Sequence, residues 1–203
     1  MKIFMQLIWV LALLLFLSGC GDTPQLPRLS KDAVILAFGD SLTHGNGAAE
    51  QESYPAILEK LSGRRVVNAG VSGEISEDGL KRLPGLLEKY HPQLVIICHG
   101  GNDILRKKDM NQMASNVKTM IVMAQNKNIP VILLGVPRFG LFLDSATQYK
   151  EIAESTGVLF IEDLIPEVLG NNALKSDPVH PNKDGYHAIA ESIYNMIKNA
   201  GAL

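Results

Sequence analysis

The sequence predicts a three-layer α/β/α fold built on one parallel sheet of five strands in the flavodoxin-like order 2-1-3-4-5. Three observations lead to this prediction. Five apolar runs recur without polar alternation, segments with a 3.6-residue apolar period separate them, and the most unusual polar loops follow the first and third runs. Continuous apolar strands that alternate with helices are typical of a parallel sheet covered on both faces. At 203 residues the chain suits a single domain with a full core.

The predicted elements follow directly from these patterns. The strands are residues 33–38, 65–69, 94–98, 130–134 and 158–161. The helices cover residues 54–61, 80–90, 110–124 and 186–197, where apolar side chains recur at helical spacing. Pro84 falls inside the second of these helices, so we expect it to kink that helix or to shift its start.

Two polar loops lie where such a sheet binds ligands. Ligands occupy the crevice outside the carboxyl ends of the strands, at the switch point between strands 1 and 3. Gly39–Ser41 follows strand 1, and Gly100–Asp103 follows strand 3. The topology therefore predicts that these two loops meet at one edge of the sheet.

A third polar segment, Asp177–Asn182, precedes the last predicted helix and contains an acid and a base three residues apart. If its backbone is helix-like, the Cβ atoms of Asp177 and His180 lie about 5–6 Å apart. At that distance a carboxylate can hold Nδ1–H of the imidazole while Nε2 faces a third group. An orienting acid, a base and a hydroxyl make a nucleophilic triad, for which Ser41 is the candidate hydroxyl.

Four short motifs occur together in this chain. They are GDSLT at 39–43, SGE at 72–74, GGND at 100–103 and DPVHPN at 177–182. In these blocks the chain resembles the GDSL, or SGNH, hydrolases, and the resemblance covers essentially all of residues 33–197. Within that family it is most similar to the bacterial periplasmic thioesterases, lysophospholipases and arylesterases. Four blocks in the family's order form a specific signal, whereas any one of them alone is weak.

The resemblance implies a catalytic triad and an oxyanion hole. Ser41 becomes the nucleophile that carries an acyl group, His180 the base, and Asp177 the residue that orients the base. The oxyanion donors become the backbone N–H groups of Ser41 and Gly73 and the side-chain amide of Asn102. The implied enzyme is a serine esterase that hydrolyses carboxylic ester or thioester bonds without a cofactor.

One position departs from the family's pattern. Relatives often carry a small hydroxyl residue where this chain has Ile75. The main-chain donor at Gly73 remains possible, but the hydrogen bonding of its loop is then open. Gly70 is the alternative donor if the block is shifted.

Other interpretations stay open at the level of sequence. A serine after a strand is often only a turn or helix-capping residue. The strand 1 loop also suits a non-catalytic flavodoxin-like module that binds flavin or phosphate, although Asp40 would repel a phosphate. A conventional α/β-hydrolase would carry G-x-S-x-G, which this loop lacks. A structural lipoprotein, or a deacetylase of envelope sugars that uses the same triad, are further alternatives.

Some polar and aromatic residues near the loops have less specific roles. Phe139, Leu141 and Phe142 follow strand 4 at the same sheet edge, where they line an acyl pocket or pack as core. We expect Asp103 to hold its loop by backbone hydrogen bonds and His99 to be a hydrogen-bonded structural histidine. The remaining histidines lack metal-ligand spacing, so no metal is expected.

The N-terminus is typical of an export signal. Lys2 precedes 15 residues that are apolar except for Gln6, and LSGC follows at 17–20. As a helix this block covers about 22 Å, which is short of the roughly 30 Å hydrocarbon core. LSGC resembles a bacterial lipobox, which implies cleavage before Cys20 and a lipid on its sulfur. An uncleaved anchor or an ordinary signal peptide is the alternative.

These observations together predict the domain organisation and the partners. Residues 1–19 form a signal peptide, residues 20–31 an extended tether, and residues 32–203 the hydrolase domain. We expect a monomeric, exported lipoprotein on the periplasmic side of a membrane, acting on small acyl esters or lysophospholipids. The formal net charge of −2, without a basic tract, gives no electrostatic footprint for nucleic acid.

Overall fold

The computed structural model describes residues 25–138 and 143–203. Within these ranges five strands form one sheet: β1 (Val34–Gly39), β2 (Arg65–Gly70), β3 (Leu94–Cys98), β4 (Val131–Leu134) and β5 (Leu159–Ile161). All neighbouring strands pair in parallel, in the order β2-β1-β3-β4-β5. The predicted sheet is confirmed, and every strand lies within one residue of its predicted bounds.

Helices cover both faces of this sheet. Within the same ranges they are α1 (Ser41–His44), a 3₁₀ turn (Glu50–Glu52), α2 (Tyr54–Ser62), α3 (Ser76–Tyr90), α4 (Gly101–Leu105), α5 (Met110–Gln125), α6 (Thr147–Thr156), α7 (Leu164–Gly170) and α8 (Lys183–Asn199). Helices α2 and α7 pack against α8, whereas α3 and α6 pack against α5. Because β3 and β4 are buried along their whole length, both faces of the sheet are covered and the three-layer prediction is confirmed.

Helix α3 corrects one expectation. It begins at Ser76, before the apolar pattern that starts at Leu80, and it continues through Pro84 to Tyr90. Pro84 therefore does not delay the start of the helix. A proline removes one backbone donor, but the buried side chains of Leu83 and Leu87 hold this face of the helix on the core.

The segment before β1 is docked on the end of the domain. Leu26 donates its backbone N–H to the carbonyl of Ala200 at 2.9 Å, and Leu29 donates to Ala202 at 2.8 Å. The side chain of Leu29 is buried in the core. Residues 26–29 of the predicted tether are thus packed onto the domain. The predicted signal peptide and Cys20 lie outside the described residues.

Across the part of the chain that the structure describes, no helix combines the length and the apolar composition that a bilayer crossing needs.

Candidate active site

Ser41 stands at the carboxyl end of β1, where it is the first residue of the short helix α1. The carboxylate of Asp40 accepts the N–H of Leu42 at 3.1 Å and so caps this helix. At the other end Gly45, with φ of 105°, donates its N–H to the carbonyl of Ser41 at 3.0 Å. Glycine reaches this left-handed conformation without strain. The tight turn fixes the backbone of Ser41 at the edge of the sheet.

The Asp177–His180 turn packs directly against Ser41. Nε2 of His180 lies 3.0 Å from Oγ of Ser41, and Nδ1 of His180 lies 2.8 Å from Oδ2 of Asp177. When Nδ1–H donates to the carboxylate, Nε2 carries the lone pair and can accept the proton of the serine. The structure thus brings the three residues of the predicted triad into one hydrogen-bonded line.

The backbone of this turn differs from the helix-like form assumed for the sequence. Oδ1 of Asp177 accepts the N–H groups of Val179 at 2.8 Å and His180 at 2.9 Å. Ser176 closes the turn by donating its N–H to the carbonyl of His180 at 2.9 Å. One carboxylate oxygen therefore shapes the backbone while the other holds the imidazole, as in an Asx turn.

These hydrogen bonds also set the charge of Asp177. Partial burial acts to raise its pKa, but the bonds from the His180 ring and from the backbone N–H groups of Val179 and His180 outweigh it and lower the pKa. The carboxyl group is therefore ionised at neutral pH, as a partner for an imidazolium must be.

Asn102 reaches the same place from the loop after β3. Its Nδ2 donates to Oδ2 of the buried Asp40 at 3.4 Å, which is a long hydrogen bond. Burial raises the pKa of Asp40. A cleft of about 20 Å³, with room for about one water, is lined by Asp40, Ser41, Leu42, Gly101, Asn102, Leu105, Val179 and His180. The two loops predicted to meet at the switch point do meet there.

Gly73 lies in the loop between β2 and α3, with a positive φ of 78°. Its carbonyl accepts a hydrogen bond from Nη2 of Arg106 at 2.8 Å. Among the described residues its N–H has no acceptor, so this group is available to a ligand. The alternative donor Gly70 is engaged, because its N–H donates to Oδ1 of Asn68 at 3.0 Å. The geometry therefore favours Gly73 over Gly70.

His99 has the structural role that the sequence indicated, whereas Asp103 binds another element and not the loop that it was expected to hold. Asp103 accepts the N–H and the hydroxyl of Ser76, both at 2.8 Å, and so ties α4 to the start of α3. Nδ1 of the buried His99 accepts the N–H of Gly100 at 2.9 Å. The other ring nitrogen of His99, Nε2, lies 3.0 Å from Oε2 of Glu74, a contact that the sequence did not predict. His99 and Glu74 are 25 positions apart, so no local sequence pattern indicates this pair.

Phe139, Leu141 and Phe142 lie outside the described residues, so the acyl pocket stays a prediction. A larger hollow of about 520 Å³ lies beside the end of β2 and is lined by His44, Gly45, Asn46, Ala48, Glu50, Asn68 and Gly70. None of the triad residues lines this hollow.

The hydrogen bonds of the strand 1 loop bear on the phosphate-binding alternative. The N–H of Leu42 is bound by Asp40, and the hydroxyl of Thr43 is 3.1 Å from the hydroxyl of Tyr54. These groups are thus satisfied by hydrogen bonds inside the protein and are not free to bind a phosphate.

Within residues 25–138 and 143–203, no cluster of three or more His, Cys, Asp or Glu is arranged to hold a metal ion.

Comparison with known proteins agrees with this geometry. Residues 37–188 match the GDSL-like lipase/acylhydrolase family. The chain belongs to the GDSL hydrolases. The match contains all four motifs, from GDSLT to DPVHPN. The catalytic positions implied by the resemblance therefore all fall inside the family's own region of this GDSL hydrolase.

Individual relatives extend over nearly the whole chain. Esterase TesA of Pseudomonas aeruginosa is 30% identical over 195 residues, which cover 91% of this GDSL hydrolase and 97% of the relative. Thioesterase 1/protease 1/lysophospholipase L1 of Escherichia coli is 30% identical over 189 residues, covering 89% and 86%. The crystal structure of the psychrotrophic esterase EstA from Pseudoalteromonas sp., inhibited by monoethylphosphonate, superposes with a TM-score of 0.73 at 28% identity, covering 83% and 98%.

Proposed function

We propose that this GDSL hydrolase cleaves carboxylic esters or thioesters through an acyl-enzyme on Ser41. It is a hydrolase that acts on ester bonds, as its family and its relatives support. The observation that carries the assignment to Ser41 is the 3.0 Å distance between its Oγ and Nε2 of His180. A serine hydroxyl is a weak nucleophile alone, and a base at hydrogen-bond distance activates it.

In acylation the hydroxyl of Ser41 transfers its proton to Nε2 of His180 while Oγ forms a bond to the carbonyl carbon. The imidazolium is stabilised by the ionised Asp177. Nε2–H then protonates the leaving alcohol or thiol as its bond to the carbonyl carbon breaks. In deacylation a water molecule gives a proton to Nε2 of His180 and its oxygen attacks the acyl carbonyl carbon. The bond to Oγ then breaks, Oγ regains a proton from His180, and the acid is released.

The tetrahedral intermediate places negative charge on the former carbonyl oxygen. The backbone N–H groups of Ser41 and Gly73 and Nδ2 of Asn102 are the proposed donors for this oxygen. Each such donor is worth about 3–4 kcal/mol when removed from comparable hydrolases. An amide at Asn102 suits this role because, unlike a carboxylate, it donates.

Labelling by a fluorophosphonate tests the proposal directly. We expect one adduct on the folded enzyme, located on Ser41 by peptide mass spectrometry, and no adduct on Ser41→Ala. Ser41→Ala should also lower kcat for p-nitrophenyl esters by about 10⁴–10⁶. Ser115→Ala, which changes an exposed serine in α5, is the matched control and should label normally. An unchanged intact mass of the wild type would contradict the acyl-enzyme.

For the natural substrate we propose lysophospholipids or small acyl esters. The names of the relatives include esterase, thioesterase and lysophospholipase, which supports this range. Leu42, Leu105 and Val179 border the small cleft beside Ser41, so the part of the substrate next to the scissile bond meets apolar residues there. A series of p-nitrophenyl esters from acetate to palmitate, compared with a lysophospholipid, would identify the preferred acyl length.

We further propose that the mature chain is a lipoprotein held at a membrane through Cys20. The lipobox-like sequence supports this, and such a location separates the enzyme from cytosolic acyl-CoA. The intact mass of protein extracted from membranes tests it: diacylglyceryl mass on Cys20, absent from Cys20→Ser, is expected. Unmodified Cys20 in the wild type would refute the anchor.

A further inference from the structure

The carboxylate of Glu74 occupies an unusual position next to Gly73. Its side chain is only 6% exposed, yet it carries two strong partners on neighbouring elements. Arg82 of α3 donates Nη2 to Oε2 at 2.6 Å and Nε to Oε1 at 2.8 Å. His99, which follows β3, places Nε2 3.0 Å from the same Oε2. A buried carboxylate with three such bonds is a rigid point in the structure.

The geometry around His99 shows which nitrogen holds the proton. Nδ1 accepts the N–H of Gly100, so the proton lies on Nε2, which donates to Glu74. The carbonyl of His99 accepts the hydroxyl of the buried Tyr149 at 2.6 Å. A side chain at Gly79 would place its Cβ 2.3 Å from Nε2, so only glycine there leaves space for this contact.

Arg82 is itself held in place by two further contacts. Its guanidinium lies 4.4 Å from the ring centroid of Phe38, in the strand that ends before Ser41. Its Nη2 also donates to the carbonyl of Ala69 in β2 at 3.0 Å. Glu74 is therefore bound to a group that is fixed against both strands beside the nucleophile.

The loop that contains Gly73 is also bound by the residue that follows α4. Arg106, at the end of α4 and one turn beyond Asn102, donates to the carbonyl of Gly73. Burial acts to raise the pKa of Glu74, but the hydrogen bonds from His99 and Arg82 outweigh it and lower the pKa to about 2. The carboxylate therefore stays ionised at neutral pH and keeps its hydrogen bonds to Arg82 and His99.

We propose that Glu74 is a positioning residue of the oxyanion hole: through Arg82 and His99 it fixes the loop so that the N–H of Gly73 meets the oxyanion. This inference rests on the proposed function, because it needs Gly73 as a donor. Glu74 does not touch the substrate. It sets the distance between two donors, Gly73 and Asn102, that come from separate loops.

The test compares oxygen esters with thionoesters in Glu74→Gln. In a thionoester C=S replaces C=O, and sulfur is a weak hydrogen-bond acceptor, so the substrate gains less from an oxyanion donor. We expect kcat for p-nitrophenyl acetate to fall about 10- to 100-fold, with KM changed by less than about twofold. Hydrolysis of the matching thionoester should fall less, so the ratio of the two rates drops.

The controls separate positioning from loss of fold. Active-site titration with a fluorophosphonate counts only competent enzyme, so partial unfolding lowers both rates equally and leaves their ratio unchanged. Glu77→Gln is the matched variant, since Glu77 is exposed in the first turn of α3 and forms an ion pair with Lys81. If Glu74→Gln fails to fold, Arg82→Lys replaces it in the test. Lysine keeps the positive charge but cannot form the bidentate hydrogen bond to Glu74, so we expect the ratio of oxygen-ester to thionoester hydrolysis to fall.

The results that would refute the positioning role of Glu74 differ from the result that would refute the proposed function. An unchanged ratio of oxygen ester to thionoester in folded Glu74→Gln or Arg82→Lys, with Ser41 still labelled, would overturn the positioning role alone. Failure of the wild type to label at Ser41 would instead overturn the acyl-enzyme. A lowered ratio in Glu77→Gln as well as in Glu74→Gln would also count against a specific role for Glu74.

Discussion

Asp177 differs from the other members of the hydrogen-bonded line in its exposure to solvent. Its side chain is 46% exposed, whereas that of His180 is 20% exposed. Burial therefore does not orient the imidazole here. The Asx turn orients it, because Oδ1 binds two backbone N–H groups and leaves Oδ2 at a fixed distance from Nδ1.

We expect Asp177→Asn to lower kcat by about 10²–10⁴ while the fold is kept. The amide oxygen can still accept the backbone N–H groups, but its NH₂ then faces Nδ1 and favours the tautomer whose Nε2 carries a proton. That nitrogen can no longer accept a proton from Ser41. Steady-state kinetics beside a thermal melt measure both effects. Asp184→Asn, at an exposed acid nearby in α8, serves as control, and a loss of less than about threefold in Asp177→Asn would contradict this role.

At the scale of elements, α3 is capped by a side chain from another helix. Its own N-cap residue is Ile75, which has no side chain that can accept a hydrogen bond. Asp103 of α4 replaces it by binding the N–H and hydroxyl of Ser76, and Asn116 of α5 donates to the same hydroxyl at 3.0 Å. The start of α3 is thus held by residues of two other helices and not by its own N-cap side chain.

We expect Asp103→Ala to lower the free energy of unfolding by about 2–4 kcal/mol, because it leaves buried donors of Ser76 without an acceptor. Asp109→Ala removes an exposed N-cap from α5, where Asp109 binds the N–H of Asn111, and should cost only about 1 kcal/mol. Urea unfolding of both variants measures the difference. Equal losses would mean that the contact between α4 and α3 adds nothing beyond ordinary capping.

At the scale of the whole molecule, buried acids make stability depend on pH in opposite directions. The pKa of Glu74 is lowered from 4.5 to about 2, so Glu74 stabilises the fold above about pH 4.5 and loses this effect as the pH falls toward 2. Burial raises the pKa of Asp40, so ionisation of Asp40 costs stability as the pH rises through that raised value.

Glu74→Gln should therefore flatten the acid limb of the stability profile. The wild type should lose up to about 3 kcal/mol between pH 4.5 and 2 through this group, since one pKa unit is worth about 1.4 kcal/mol. The difference between wild type and variant should be largest above pH 5 and should shrink toward pH 2. Urea unfolding at several pH values measures it, with Glu77→Gln as control. A difference that does not vary with pH would show that the charge of Glu74 contributes nothing to stability.

The elements differ in how far their sequence predicts them. The long, regular apolar periods of α5 and α8 led to bounds close to the observed ones. The pattern did not predict α6 and α7, which are shorter. The early start of α3 was also missed, because its cap comes from Asp103 and not from a neighbouring residue.

The sequence by itself determined the strands, the polar loops at their ends and the local Asp177–His180 pair, because these features depend on residues that are close along the chain. Only the tertiary structure decided that Nε2 of His180 lies 3.0 Å from Ser41, that the N–H of Gly70 is engaged, and that Arg82 and His99 hold Glu74. Those contacts join side chains from separate elements. Their distances follow from how helices pack on the sheet, which spacing along the chain does not specify.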